Sequence, residues 1–207
     1  MNLQEKLTYI EDYLSTYFDE MLVKDIIMIK DKDLHFTLPY ILLASAGVDF
    51  LGGLAKGFRE KSGRRSCYFI KEWMGRVNEL YGYEGMSEII YNLIRCGSSH
   101  QGIYKKGVES SSEIYPRDKH LHLRSRPGGE DRIFIHALQF ADDFIEAQKL
   151  YRKEYINQNI DTVHENLLAM LQEEKMKGFV GLVSYLRSKG LTFKDECVPS
   201  PSAAPED

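Results

Sequence analysis

This sequence lacks most of the features that would settle its class at once. It has only three cysteines in 207 residues, Cys67, Cys96 and Cys197. They are far apart, with no metal-ligand spacing and no even-numbered framework. A disulfide-built scaffold is therefore not expected, and a reducing, cytoplasmic compartment fits best. No run of 18 or more apolar residues occurs, so no membrane span is expected. Residues 1–20 have neither the basic start nor the apolar centre of a signal peptide. Gly52-Gly53, Gly82 and Gly128-Gly129 lack the strand-glycine-helix context of a phosphate loop or dinucleotide fingerprint. Ser98 and Ser99 lack the Gly-x-Ser-x-Gly elbow of many hydrolases. There is no internal repeat, and nothing in the chain calls for a cofactor or a metal.

What is present is ordinary globular material, 43% hydrophobic and 28% charged, which is enough to bury one core. The expectation is a single helical domain over 1–193 and a disordered Pro/Ser/Ala/acidic tail over 194–207. A net charge of −4 argues against a chain that coats nucleic acid by bulk charge. Charge is unevenly placed, however. Residues 95–132 carry eight Lys/Arg against five Asp/Glu and also hold His100, His120 and His122. Such a local basic surface can meet phosphate or another anion, or can simply be a solvated, loop-rich face.

The fold class read from periodicity is mainly α, a helical bundle with one small β-hairpin inserted after the fourth helix. Leu3, Leu7, Ile10, Leu14, Tyr17, Phe18 and Met21 recur at three- and four-residue steps and predict one long or two short helices over 3–29, with a core or dimer face. Thr37 and Pro39 open a second helix, apolar nearly all round to Leu54, with Gly52-Gly53 ending or loosening it. Within it Asp49 stands out, since a buried carboxylate needs a partner. Arg95 is one candidate partner; a backbone cap or solvent are others. A third helix is expected over 66–81 with Phe69, Ile70, Trp73, Met74, Val77 and Leu80 inward. A fourth is expected over 86–95 with Ile89, Ile90, Leu93 and Ile94 packed.

Residues 105–117 predict a loop. The alternation in Lys119-His120-Leu121-His122-Leu123-Arg124 predicts a strand that pairs with 132–135 across a Pro-Gly-Gly turn. On such a strand His120 and His122 would share a face. They could there bind a metal or add to an RNA-facing surface, although a plainly exposed strand face explains them more simply. Helices follow over 136–156 and 160–188.

The chemistry-bearing run is Tyr91-Asn92-Leu93-Ile94-Arg95-Cys96-Gly97-Ser98-Ser99-His100-Gln101. Arg95 offers a planar fork of donors to a phosphate, and His100 can move a proton near neutral pH. Five residues on an unbroken helix turn through about 140°. Both side chains can still approach one phosphate from adjacent turns, especially across a two-fold axis. Asn92, Ser98 and Ser99 can help hold the phosphate, and Lys105 and Lys106 add positive charge. The structural alternative is that Arg95 caps the end of its helix and pairs with Asp49, while His100 satisfies a carbonyl.

An Arg-x4-His run after an apolar helix in an all-helical chain resembles the HEPN superfamily. So does the layout of Leu42-Leu43-Ala44, Asp49-Phe50-Leu51-Gly52-Gly53-Leu54, Phe69-Ile70 and Leu93-Ile94-Arg95-Cys96-Gly97-Ser98-Ser99-His100. The outline spans roughly residues 1–157, and its specific part is 91–101. The resemblance implies a homodimer whose paired motifs form one composite site for metal-independent RNA cleavage. Arg95 and His100 would be catalytic, RNA the substrate, and an antitoxin or other protein a possible partner. The position after the arginine, often polar in active members, is Cys96 here. The competing expectation is a non-catalytic helical homodimer that serves as an interaction module.

Overall fold

A computed structural model describes residues 1–32, 37–92, 107–111, 117–125, 131–173 and 188–189. The protein is mainly helical, with a small three-stranded sheet after the fourth helix. By internal contacts the chain divides into two compact units, Met1–Met170 and Leu171–Asp207. The architecture below is that of the first.

The first helical stretch runs without a break from Leu3 to Asp31 as α1 (Leu3–Tyr13), a π-helical segment (Leu14–Val23) and α2 (Lys24–Asp31). Asn2 opens it with a capping box. Its side chain accepts the Glu5 N–H at 2.9 Å, and Glu5 accepts the Asn2 N–H at 2.7 Å. The buried positions are Ile10, Leu14, Phe18, Val23 and Ile26. The five-residue step from Phe18 to Val23 matches the wider π turn, in which the Lys24 N–H reaches the Asp19 carbonyl. The apolar stripe read from the sequence is therefore split. Leu3, Tyr17 and Met21 are exposed, Tyr17 by 53% and Met21 by 67%.

Helix α3 (Thr37–Lys56) is the central element and packs on α4 (Ser62–Glu72) and on α6 (Ala137–Tyr151). It is long and apolar enough to pass as a membrane span by composition, but most of it is buried by its neighbours. Gly52-Gly53 does not end it. A Cβ on Gly52 would stand 2.2 Å from the Arg65 carbonyl oxygen, so this glycine lets the α3 and α4 backbones touch. The stop is Gly57, in the left-handed region at φ +88°, whose N–H returns to the Gly53 carbonyl at 2.8 Å. Two of the terminal carbonyls find side-chain donors. Asn166 donates to the Leu54 carbonyl at 2.9 Å, and the Tyr155 hydroxyl to that of Ala55 at 3.3 Å.

The third helix starts earlier than expected and stops at Glu72, followed by 3-10 turns at Met74–Arg76 and Glu79–Gly82. Asn78 is extended and caps the second turn by accepting the Leu80 N–H. Phe69, Ile70, Trp73 and Met74 are core as expected, and Trp73 meets Tyr151 edge-on at 5.2 Å. Val77 and Leu80 are only half-buried. Helix α5 (Met86–Ile90) buries Ile90 but leaves Ile89 exposed, contrary to expectation.

The expected hairpin exists as β2 (Leu123–Arg124) antiparallel to β3 (Arg132–His136). A further strand, β1 (Val108–Ser111), lies within the stretch read as a loop and pairs parallel with β3. His136 ends β3 and caps α6 by accepting the Gln139 N–H. A π-helical turn (Arg152–Ile156) continues α6, and α7 (Ile160–Glu173) follows. Arg152 ties this end to the first helix, donating to both Asp19 oxygens at 2.9 and 2.7 Å and to Glu11 at 2.7 Å.

Candidate functional site

The carboxylate singled out in the central helix is held by four donors. Arg65 binds Asp49 through two nitrogens, Nε to Oδ1 at 3.0 Å and Nη2 to Oδ2 at 2.7 Å. Ser62 and Ser66 donate to Oδ1 at 2.6 and 2.9 Å. Arg65 also donates to the Phe58 carbonyl at 2.7 Å and lies over the Phe58 ring. Both members of the ion pair are mostly buried. Burial alone would push the Asp49 carboxyl up. The hydrogen bonds from Arg65, Ser62 and Ser66, with the Arg65 charge, outweigh it and hold the group below its ordinary value. Asp49 and Arg65 are thus committed to each other and act as an anchor between α3 and α4.

That anchor fixes the start of α4 and the connection before it, where Lys56, Arg59, Lys61 and Arg64 are exposed. Residues 90 and 91 lie against the same place. Ile90 and Tyr91 close a small void with Ser45, Val48 and Ser66. The Tyr91 ring lies over Gly63, where a Cβ would stand 3.0 Å from it. Asn92 follows, exposed and three residues before Arg95 in the chain. Arg95, Ser98, Ser99, His100, Lys105 and Lys106 lie outside the described residues. Of the candidate site residues, Asn92 and Asp49 are described.

A second polar cluster had no counterpart in the sequence reading. The His136 N–H donates to His120 Nδ1 at 3.0 Å, which places the proton of a neutral His120 on Nε2. That nitrogen then donates to the Tyr81 hydroxyl at 2.7 Å, and Tyr81 donates to Asp143 Oδ2 at 3.0 Å. Gln139 donates to the other carboxylate oxygen at 2.7 Å. His120, Tyr81 and Asp143 are all buried. Burial, with His136 and His122 nearby, pushes the His120 imidazole down to about 3. Burial raises the Asp143 carboxyl against the hydrogen bonds that stabilise its charge. The relay locks the 3-10 turn, the sheet and α6 together, with each polar atom satisfied in one direction.

His120 and His122 do not share a face. Leu121 adopts φ +63°, a left-handed conformation rare for leucine, which turns His120 inward and leaves His122 exposed. Among the described residues no three His, Cys, Asp or Glu side chains gather as a metal site. Asp143 had one legible signal. It falls on the same helical face as Phe140, Phe144 and Ala147, so it was destined for the core. Its partner Tyr81, 62 residues away in sequence, carried none.

No protein-family model matches this chain, and no curated protein or solved structure matches it either.

Proposed function

We propose that the protein is an HEPN-like RNA-binding or RNA-cleaving homodimer, in which Arg95 and His100 from two copies meet one phosphodiester. The observation that supports this reading is the contact of Tyr91 with Gly63. Tyr91, four residues before Arg95 in the chain, thereby lies beside the segment that carries the exposed Lys61 and Arg64, cations that would attract a polyanion. In the cleavage reaction a neutral histidine takes the proton of the ribose 2′-hydroxyl. The 2′-oxygen bonds to phosphorus as the bond to the 5′-oxygen breaks. Arginine stabilises the charge that builds on the phosphoryl oxygens, and a protonated histidine returns a proton to the leaving oxygen. The products are a 2′,3′-cyclic phosphate and a 5′-hydroxyl, and no metal enters the balance. Purified wild-type protein in chelator is expected to cut RNA, and Arg95→Ala and His100→Ala, each checked for folding, are expected to lose at least a hundredfold in rate.

A second reading, a non-catalytic helical dimer, is supported by a different feature. Tyr13, Tyr17, Phe18, Met21, Leu22 and Phe50 line an open apolar groove of about 360 Å³ on the first helical stretch. Exposed aromatic and methionine side chains of this kind suit a second copy of the chain. A folded wild-type dimer that leaves every RNA intact would favour it.

A further inference from the structure

Arg124 on β2 and Arg132 on β3 stand directly opposite in an antiparallel ladder. Like charges in that position repel. The Nε of Arg132 is shielded from solvent and has no hydrogen-bond partner among the described residues. A buried guanidinium donor left unmet is unfavourable unless something supplies an acceptor.

The neighbouring groups fit an anion. Strand alternation puts Arg132 and Phe134 on one face, and the Phe134 N–H donates to the His122 carbonyl at 2.9 Å, which brings His122 beside them. Lys119, His122, Leu123, Arg124 and Phe134 line a cavity of about 180 Å³. The turn at Leu121 directs His122 toward this side and away from the buried relay. His122 Nδ1 donates to the His120 carbonyl at 3.0 Å, so Nε2 is the nitrogen left for a ligand. Two local acids offset part of the positive charge, since Glu109 pairs with Arg124 and Asp118 with Lys119. Among the described residues no acidic side chain pairs with Arg132.

We propose that this face of the sheet is a phosphate-binding site, with Arg124 and Arg132 as the ion-pairing groups and His122 as the hydrogen-bonding group. A phosphate offers oxygens in several directions at once, which suits two guanidinium groups and an imidazole approaching from adjacent strands. The phosphate belongs either to a small phosphorylated molecule or to a nucleic-acid strand. Neither Arg95 nor His100 takes part, so the proposal does not rest on the ribonuclease reading.

The test is a titration of the full-length protein with inorganic phosphate, and separately with a short single-stranded oligoribonucleotide. Each is followed by calorimetry and by the imidazole NMR signal of His122. The signal is expected to move with saturable binding, and Arg132→Leu and His122→Ala are expected to weaken binding at least tenfold. Lys149→Ala, an exposed cation on α6, is expected to bind as wild type does. Phosphate alone reproducing the effect assigns the small-molecule source, and a response to the oligonucleotide alone assigns the strand. Without ligand, Arg132→Leu is expected to melt no lower than wild type, because it removes a repulsion and an unmet donor. A His122 signal unmoved by either ligand overturns the proposal. So does unchanged binding by Arg132→Leu, or a destabilised unliganded Arg132→Leu.

Discussion

Mild acid should loosen this fold, and His120 is the reason. Its Nδ1 accepts the His136 N–H, and its Nε2 proton is already given to Tyr81. A second proton would set an N–H against an N–H in a buried site. The imidazole therefore stays neutral in the fold down to about 3, against 6.5 in the open chain. The unfolded chain binds a proton in that window and the folded one does not, so stability falls as pH drops from the open-chain value toward the folded one. At 1.36 kcal/mol per pH unit the full window is worth on the order of 5 kcal/mol, and about 2 kcal/mol is lost by about pH 5. Asp143 acts with the opposite sign. Its raised carboxyl takes a proton more readily when folded, which flattens the lower end of the fall. Asp49, held low, steepens it again at the most acid end. The assay is urea unfolding across neutral to mildly acid pH, for wild type and His120→Asn, whose amide oxygen can still accept the His136 N–H. The wild type should lose about 2 kcal/mol more than the variant on the acid side. Equal pH dependence in the two proteins would refute the assignment.

The packing makes two further predictions. Gly52→Ala puts a methyl group against the Arg65 carbonyl oxygen, and since backbone meets backbone there is no side chain to yield. It should lower unfolding free energy by about 1–3 kcal/mol, read from the urea midpoint. Asp49→Ala leaves the Arg65 guanidinium and two serine hydroxyls without their acceptor in a largely buried site. A loss of about 3 kcal/mol is expected in the same measurement, and a loss under about 0.5 kcal/mol would contradict the anchor role.

The parts of the fold written in the sequence are those governed by local pattern. Thr37 and Pro39 mark the start of the central helix, and its all-round apolar surface foretells that α4 and α6 enclose it. The Pro-Gly-Gly run in the sequence and its flanking alternation foretell the pairing of β2 with β3. What was misread depends on distant contacts. Gly52 looks like a helix stop, but it serves the approach of α4, and Gly57 five residues on is the stop. The inward period of the third helix carries past Glu72, yet the backbone turns at Trp73 and at the extended Asn78. The alternation around His120 promised one shared face, and a single left-handed leucine separates the two histidines. Asp49 announced its need for a partner, but a 28% charged chain offers many, and Arg65 sits 16 residues away on a different helix. Of the candidate site residues Asp49 and Asn92 are described, and the reading of Arg95 and His100 comes from residue chemistry and resemblance.

The most direct test of the proposed function is therefore chemical. Wild-type protein, Arg95→Ala and His100→Ala would be incubated with RNA in chelator, and the ends of any fragments identified. The wild type is expected to give fragments with 2′,3′-cyclic phosphate and 5′-hydroxyl ends, lost in both folded variants. Cleavage that survives in either variant, or intact RNA in the presence of a folded wild-type dimer, would contradict it.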